Sequence, residues 1–299
     1  MNTTRIVLTA VLAAVLLASG AAAQNGLALM KVEAGARPVG MAGASVSLTA
    51  DPDATFYNPA AAAWSESFVL SFGHNEYWEN IRIETGYFVS NFKQRVSIHG
   101  GIRYASVDNI ESRSTPSSEP DAIFSEYDLS WKAGVSYTLN DKVAFGLAAG
   151  WFTEKIDMYR GSAFNVDLGL LYRVTPQMNL GASITNLGSS LSLAISGQPG
   201  TDDISIPTTY RAGGSYRYDR YLGALDMVIV DDEFHLHLGA DAALHDYVSV
   251  RAGYMVGYDT RNFTAGASFS RREFTVDYAF VPYSGNLGTS HLFNLTVIL

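Results

Sequence analysis

Apolar and polar residues alternate along long segments of this chain. In YVSVRAGYMVGY, which spans 247–258, valine, alanine and tyrosine take every second position from Val248 onward, whereas serine, arginine and glycine take most of the others. The segments FNVDLGLLYR, VSIHGGIRY and FHLHLGADA repeat this pattern. Successive side chains of a β-strand point to opposite faces, so each segment predicts a strand that is apolar on one face only.

The length of these segments separates two classes of β protein. Each runs to about ten residues, whereas strands of soluble β-sandwiches usually have about five or six. A strand of about ten residues matches a tilted crossing of the apolar band, ~25 Å tall, of a membrane β-barrel. The pattern therefore favours a barrel, and a soluble sandwich is the alternative.

Fourteen such segments can be placed between residues 66 and 299, and their connections differ in length. The second, fourth, sixth and eighth connections are tight, at 91–93, 140–141, 175–176 and 219–220. The longest, at 106–123 and 188–205, are odd-numbered. Outer-membrane barrels have short periplasmic turns and longer extracellular loops. We therefore predict an all-β fold, a 14-stranded antiparallel transmembrane β-barrel with both termini in the periplasm.

The first 23 residues have the features of an export signal. Arg5 is followed by an apolar run over 6–18, and three alanines end the stretch at Ala23. This order predicts a signal peptide over 1–23 that is cleaved near Ala23, with a retained membrane anchor as the alternative. The sequence has no cysteine, which excludes a lipoprotein anchor and any disulfide framework. After the signal, no apolar run approaches the ~18 residues of a spanning helix.

Charge and composition argue against some classes of function for this chain. Removal of the signal takes away Arg5 and no acid, so the formal net charge of −9 falls by one to −10. Charged residues make up 16% of the chain, against about 25% in soluble proteins. An acidic, charge-poor chain without a basic patch is not expected to bind nucleic acid. No nucleophile motif, phosphate loop or paired-acid arrangement stands out, so we expect neither an enzyme nor a cofactor.

Ionisable residues on the small, polar face of the strands predict a polar lumen. A Lys or Arg on the lipid face costs ~2–4 kcal/mol at the bilayer midplane, so these residues should point inward. Inside a narrow barrel they would pair as an ion network, and a solute pathway is the alternative. His235 and His237 share a face, but no third metal ligand is evident and no metal site is expected. The predicted lumenal polar network comprises His99, Arg103, Asp167, Arg173, Arg211, Asp226, Asp241 and Arg251.

The stretch between the signal and the first strand, residues 24–65, differs in character from the wall over 66–299. Asn58 is a favourable N-cap, Pro59 suits the first helical position, and the alanines that follow predict one or two helical turns. Gly40 and Gly43 allow close backbone packing. We predict a plug-like segment with a small helix that lies on the periplasmic side, within or across the mouth of the barrel.

Part of this segment resembles a known family. GARPVGMAGASVSLTADPDATFYNPAAAAW, over 35–64, is similar to the N-terminal signature of the PorV/PorQ family, although Ala42 and Ala62 replace frequent glycines. MNLGASITNLG and DYAFVPYSGNLGTSHLFNL are similar to later strands of that family. The resemblance implies a fourteen-stranded barrel related to the FadL fatty-acid transporters, which also carry Asn-Pro-Ala in an N-terminal plug. It marks a motif made of Gly35, Arg37, Gly40, Gly43, Asn58, Pro59 and Ala60.

The same resemblance implies a function and a location. PorV/PorQ-like barrels serve type IX secretion as non-enzymatic adaptors or anchors, so the extracellular loops at 106–123 and 188–205 would bind other secretion-system proteins or secreted cargo. The chain would lie in outer-membrane lipid of a Gram-negative bacterium. The alternatives are a FadL-like transporter of hydrophobic small molecules, which requires an apolar pocket between plug and wall, and a purely structural barrel. No apolar lumenal stripe is evident in the sequence.

Overall fold

The computed structural model of the protein describes residues 27–77, 81–195, 198, 200 and 203–299. The predicted signal peptide, 1–23, lies outside the described residues. Fourteen antiparallel strands close into a single barrel, which is sealed by pairing of the first strand with the last. The predicted fold class is therefore confirmed. The wall strands are β1 (Val69–Glu76), β2 (Arg82–Lys93), β3 (Val96–Ser112), β4 (Ala122–Asn140), β5 (Val143–Ile156), β6 (Tyr159–Thr175), β7 (Met178–Gly188), β10 (Thr209–Tyr218), β11 (Tyr221–Val230), β12 (Glu233–His245), β13 (Val248–Val256), β14 (Phe263–Arg271), β15 (Phe274–Pro282) and β16 (Thr289–Ile298).

The connection between β7 and β10 carries a small sheet of its own. Within it, β8 (Ser190–Leu191) pairs with β9 (Ile204–Ser205) outside the barrel ladder. Leu191 and Ile206 are buried and join an apolar cluster with wall residues. Part of this predicted extracellular loop therefore folds onto the barrel interior.

All connections at one end of the barrel are short, and every long loop lies at the other end. Two-residue turns occupy 141–142, 176–177 and 219–220, within one residue of the predicted positions. The turn predicted at 91–93 lies instead at 94–95, because β2 continues to Lys93. We call the end with these turns the periplasmic end and the opposite end the extracellular end.

Four neighbouring strands are longer than the sequence pattern predicts. β3, β4, β5 and β6 contain 17, 19, 14 and 17 residues. At about 3.3 Å per residue, strands of this length exceed the requirement of an apolar band even when they are tilted. This side of the wall therefore extends beyond the region that lipid would cover.

The outer face of the wall is apolar. On β11, Tyr221, Leu225 and Met227 are exposed, and the residues between them include the buried Leu222 and Asp226. The same alternation recurs on the other strands, and many large aliphatic and aromatic side chains are exposed in this way. An exposed apolar surface of this extent on a closed barrel is the lipid-contacting face of an outer-membrane protein.

The helices of the described residues all precede β1. They are α1 (Ala28–Lys31), α2 (Ala36–Gly40) and two short 3-10 helices, Asp53–Phe56 and Pro59–Ala62. No helix in the described part of the chain has the length and apolar character needed to cross a bilayer.

This N-terminal segment, which we call the plug (27–68), extends through the lumen. Leu29 of α1 belongs to a cluster with Ile83 and Phe152, near the extracellular ends of β2 and β5. Leu48 instead belongs to a cluster with Leu222, at the periplasmic end of β11. The prediction that the segment lies on the periplasmic side is therefore wrong for its first part.

Glycines on the inner face of the wall make this path possible. A Cβ atom at Gly146 would lie 2.1 Å from the backbone nitrogen of Ala60, and one at Gly253 would lie 2.4 Å from that of Ala42. Any side chain there would collide with the plug backbone. Because only glycine lacks a Cβ, these positions allow two backbones to meet directly.

Candidate functional site in the plugged lumen

Asn58 joins the plug to the wall. Its Oδ1 accepts a hydrogen bond from the Ala60 backbone N–H at 2.9 Å, which caps the 3-10 helix Pro59–Ala62. Its Nδ2 donates to the carbonyl oxygens of Val46 (2.7 Å) and Leu170 (3.1 Å). One fully buried side chain therefore caps a helix, ties two parts of the plug together and holds them to β6. The helix is a single 3-10 turn, at the short end of the expected length.

The glycines of the motif adopt or permit unusual backbone geometry. Gly35 and Gly43 have φ values of +78° and +73°, which disfavour any residue with a side chain. A Cβ at Gly40 would lie 2.9 Å from the side chain of Arg251. Arg37 forms an ion pair with Asp51, with Nη1 and Oδ2 2.9 Å apart. The motif thus shapes the plug rather than forming one ligand site.

Three predicted lumenal residues, Arg251, Asp241 and Asp226, have polar partners inside the barrel. Arg251 donates to Asp241 through Nε (3.0 Å) and to Asp277 through Nη1 (2.6 Å). Asp226 accepts the backbone N–H groups of Ser45 (2.7 Å) and Val46 (2.8 Å) through one oxygen. Asp277 was not singled out in the sequence, although it lies on the inner face of an alternating strand.

Arg103 and Asp167 contact different partners. Arg103 donates through Nη1 to the carbonyl oxygen of Leu29 (2.9 Å) and through Nη2 to that of Val32 (2.8 Å). Asp167 forms an ion pair with Lys132 at 2.6 Å. Lys132 was not predicted as a lumenal residue, although its position on the inner face of β4 indicates one.

The remaining predicted residues also act separately. The guanidinium of Arg173 lies over the Trp64 ring at 4.2 Å, and that of Arg211 lies over the Tyr57 ring at 5.1 Å. His99 is buried, and its Nε2 has no hydrogen-bond partner among the described residues. The predicted lumenal residues therefore act in several separate contacts, some with the plug and some within the wall, rather than in one continuous ion network.

His235 and His237 are held by aromatic contacts. The His235 ring stacks on Tyr258 with centroids 4.0 Å apart, and His237 Nε2 lies 2.9 Å from the Tyr258 hydroxyl. Burial raises the pKa of Tyr258 to about 12. The hydroxyl therefore keeps its proton at neutral pH and contributes a neutral hydrogen-bonding group.

Two ion pairs hold the extracellular part of the plug. Glu33 forms a bidentate pair with Arg261 (2.6 and 3.1 Å), and Lys31 pairs with Asp231. Burial by itself would raise the pKa of Glu33, but the charge of Arg261, together with smaller contributions from Arg211, His237 and a backbone hydrogen bond, leaves the pKa below its usual value. Neither pair was evident in the sequence, since each joins residues about 200 or more positions apart.

An apolar cluster lies in the extracellular half of the lumen. We call it the lumenal apolar cluster, and the sequence, which shows no apolar lumenal stripe, did not predict it. The wall strands β2, β3, β5 and β6 contribute one buried residue each, so no single strand carries a stripe. Its buried members are Leu27, Leu29, Met30, Ile83, Ala105, Phe152, Ala163, Leu191 and Ile206.

The plug leaves little free space beside this cluster. A cavity lined by Met30, Phe56 and Tyr87 has a volume of about 20 Å³, which accommodates about one water molecule. A larger space of about 580 Å³ lies at the periplasmic mouth, lined by Arg37, Arg173 and other polar residues. Among the described residues, this cavity beside the cluster is too small for a ligand larger than water.

Solved structures of outer-membrane channels share this fold. The toluene transporter TodX of Pseudomonas putida superposes with a TM-score of 0.65 at 13% identity, over 89% of this chain and 96% of the other. The fold is that of the FadL-type channels. A FadL homologue of Pseudomonas aeruginosa (TM-score 0.58, 14% identity, 88% and 97% coverage) and the monoaromatic hydrocarbon channel CymD (0.59, 14%, 88% and 96%) give the same result.

The comparisons support the fold and not a specific family. No protein-family profile matches the chain, and no curated relative matches it. The resemblance to the PorV/PorQ family therefore stays a prediction. The closed fourteen-stranded barrel with an apolar outer face confirms the predicted outer-membrane location.

Proposed function

We propose that this protein is an outer-membrane passage for hydrophobic small molecules, closed in the present state by its own plug. The observation that carries the proposal is the lumenal apolar cluster, which lies between plug and wall as such a passage requires. Apolar surface inside a lumen has no role in a water-filled pore, whereas it provides a binding site for apolar ligands.

The plug residues of the cluster occupy the place of a ligand. Leu29 and Met30 are almost completely buried there, on a helix of only four residues. Arg103 holds the backbone of this helix and of the residue after it by hydrogen bonds to the carbonyl oxygens of Leu29 and Val32. Displacement of the helix would expose an apolar site while the rest of the plug stays anchored through Asn58 and Asp226.

A discontinuity in the wall offers a lateral route to the membrane. β7 pairs with β10 only as far as Thr185 opposite Thr209, and beyond that point β7 pairs with β6 alone. A β-bulge at Asn186, where φ is +62°, bends the strand away. The seam is closed by the Thr208 hydroxyl, which donates to the Asn186 carbonyl at 3.2 Å.

Uptake of a radiolabelled hydrophobic probe tests this function. We would express the protein in a Gram-negative strain that lacks FadL-type channels and measure uptake of labelled oleate and toluene. Phe152→Gln should lower uptake severalfold, because it makes the buried cluster polar. Phe145→Gln is the matched control, since Phe145 is exposed on the lipid face of the same strand.

The experiment must distinguish a loss of transport from a failure of the barrel to fold. A gel comparing heated and unheated samples must first show that both variants form closed barrels. Uptake no higher than in the empty strain, or equal loss in both variants, would contradict the transport function.

A role as a type IX secretion adaptor is the second candidate. It is supported by the resemblance of residues 35–64 and by the exposed loop over 113–121. The other loop proposed to bind cargo is partly turned inward through Leu191 and Ile206, which leaves less of it for a partner. Purification from native outer membranes in mild detergent tests this role. Recovery of a large translocon barrel or secreted cargo would support it, and recovery of the barrel alone would not.

A further inference from the structure

Three carboxylates meet on the inner face of the wall near its extracellular end. Glu126 and Asp128 lie two residues apart on β4, and Glu154 lies directly opposite Asp128 on β5. One carboxylate oxygen from each of the three side chains lies within 4.8 Å of the others. Like charges placed directly opposite each other on adjacent strands repel, so this arrangement requires a compensating partner.

Among the described residues, no basic side chain forms an ion pair with these three carboxylates. The charge of Arg103 acts on Asp128, but Arg103 uses both terminal nitrogens on the carbonyl oxygens of α1 and the residue after it, and Lys132 pairs with Asp167. Lys155 lies over the ring of Tyr127, with its Nζ 5.7 Å from the ring centre. The described part of the chain thus gives the three carboxylates no directly paired cation.

Two of the carboxylates are buried with unused oxygens. Asp128 is 5% exposed and Glu154 is 8% exposed. Asp128 Oδ1 and Glu154 Oε2 have no hydrogen-bond partner within the described part of the chain. A buried, unpaired carboxylate oxygen is costly, and two such side chains on directly opposite residues point to a ligand that accepts their lone pairs.

We propose that Glu126, Asp128 and Glu154 bind a calcium ion. The donors are all carboxylate oxygens, which hard divalent cations prefer over nitrogen or sulfur ligands. Ca²⁺ takes several carboxylate oxygens in a flexible geometry, with ligands at about 2.3–2.6 Å. The three carboxylate oxygens lie within 4.8 Å of one another, so they can reach a single ion. Mg²⁺ is usually bound by one or two carboxylates and keeps several of its waters, so a set of three carboxylates favours Ca²⁺.

The site also contacts the plug. The backbone N–H of Leu29 donates a hydrogen bond to the Asp128 carboxylate. Arg103 holds the carbonyl of the same residue. Calcium would therefore fix the carboxylates against which α1 rests, and this inference does not depend on the proposed transport function.

Calorimetric titration tests the site directly. Protein purified from outer membranes would be stripped with EDTA, exchanged into chelator-free detergent buffer and titrated with CaCl₂. We expect one ion per chain. Asp128→Asn and Glu154→Gln should each weaken binding at least tenfold, because loss even of an outer-shell contact costs about 10–100-fold. Glu119→Gln, which neutralises an exposed loop carboxylate, should bind as the wild type does.

Three outcomes would overturn the assignment. They are the absence of saturable Ca²⁺ binding at millimolar concentration, unchanged binding in both buried variants, and tighter binding of Mg²⁺ than of Ca²⁺ in a parallel titration. If a buried variant does not form a heat-modifiable barrel, Glu126→Gln replaces it, since that residue is only partly buried. Its affinity is then judged by the same tenfold criterion.

Discussion

At the scale of single residues, the plug depends on a few side chains that each make several contacts. Asn58 is the clearest case, because one buried amide supplies an acceptor to Ala60 and two donated bonds to Val46 and Leu170. Loss of such a side chain leaves backbone groups without partners in a site that water does not reach. The cost is therefore larger than that of an ordinary hydrogen bond.

Substitution of Asn58 should separate its two roles. Asn58→Ala removes both the cap and the donated bonds and should destabilise the protein by about 2–4 kcal/mol. Asn58→Ser keeps a capping oxygen and should cost less. The midpoint of heat-induced unfolding on gels, measured in one detergent, ranks the variants. Equal midpoints for Ala and Ser would mean that the cap contributes nothing.

The buried pair of Glu33 and Arg261 predicts a dependence on pH. The pKa of Glu33 lies below 4.5 in the folded protein, so the pair contributes stability above that value and loses it as pH falls through the folded pKa. Glu33→Gln should be less stable than the wild type by about 3 kcal/mol at pH 7. The difference should shrink as pH falls below about 4. Unfolding midpoints from pH 7 to pH 3 measure this, and a constant difference would contradict it.

At the scale of elements, the junction of β7 with β10 is the irregular part of the wall. Asn186 has a φ of +62°, accepts a bond from Lys132 and donates its N–H to Asp167. Before this residue, β7 forms backbone hydrogen bonds with both β6 and β10; after it, β7 pairs with β6 alone. A local backbone conformation therefore decides where the wall can part.

The left-handed conformation of Asn186 predicts an unusual order of stability. Asn186→Gly should be more stable than Asn186→Ala by about 1 kcal/mol, because a side chain other than Asn or Gly is strained there. Asn179 lies on the same strand and has ordinary strand geometry. There Asn179→Ala should be more stable than Asn179→Gly by about 0.5–1 kcal/mol. Thermal unfolding of the four variants tests both orders. The same order at both sites would show that the bulge imposes no strain.

At the scale of the whole molecule, barrel and plug are one packed unit. The wall closes through hydrogen bonds between neighbouring strands. The plug fits inside it only because glycines on the inner face leave room for the plug backbone. The barrel should therefore persist when the plug is displaced.

A side chain at Gly146 should displace the plug without opening the ladder. Gly146→Val would collide with Ala60 and cost about 1–3 kcal/mol by overpacking. Gly223→Val is the matched control, because a Cβ there meets nothing within 4 Å. Conductance across planar bilayers should rise for the first variant and not for the second. Unchanged conductance in both, with both barrels heat-modifiable, would mean that the plug does not control the lumen.

The sequence by itself determined the wall. Alternation along β11 and β13 is a local property of consecutive residues, and it fixed both the strand type and the face that meets lipid. Short turns such as 219–220 then gave the direction of successive strands and hence the fold class. The N-cap at Asn58 could be predicted for the same reason, since the capping side chain and the amide that it caps are two residues apart.

Only the tertiary structure decided what the lumen contains. The pairing of Arg251 with Asp277, the path of α1 to the extracellular end and the lumenal apolar cluster each join residues from distant parts of the chain. The alternation of apolar and polar residues along a strand indicates which side chains point into the barrel. It does not specify which residues of other strands those side chains contact. That depends on closure and on the course of the plug, so the contacts of the lumen follow from the assembled barrel and not from any local pattern.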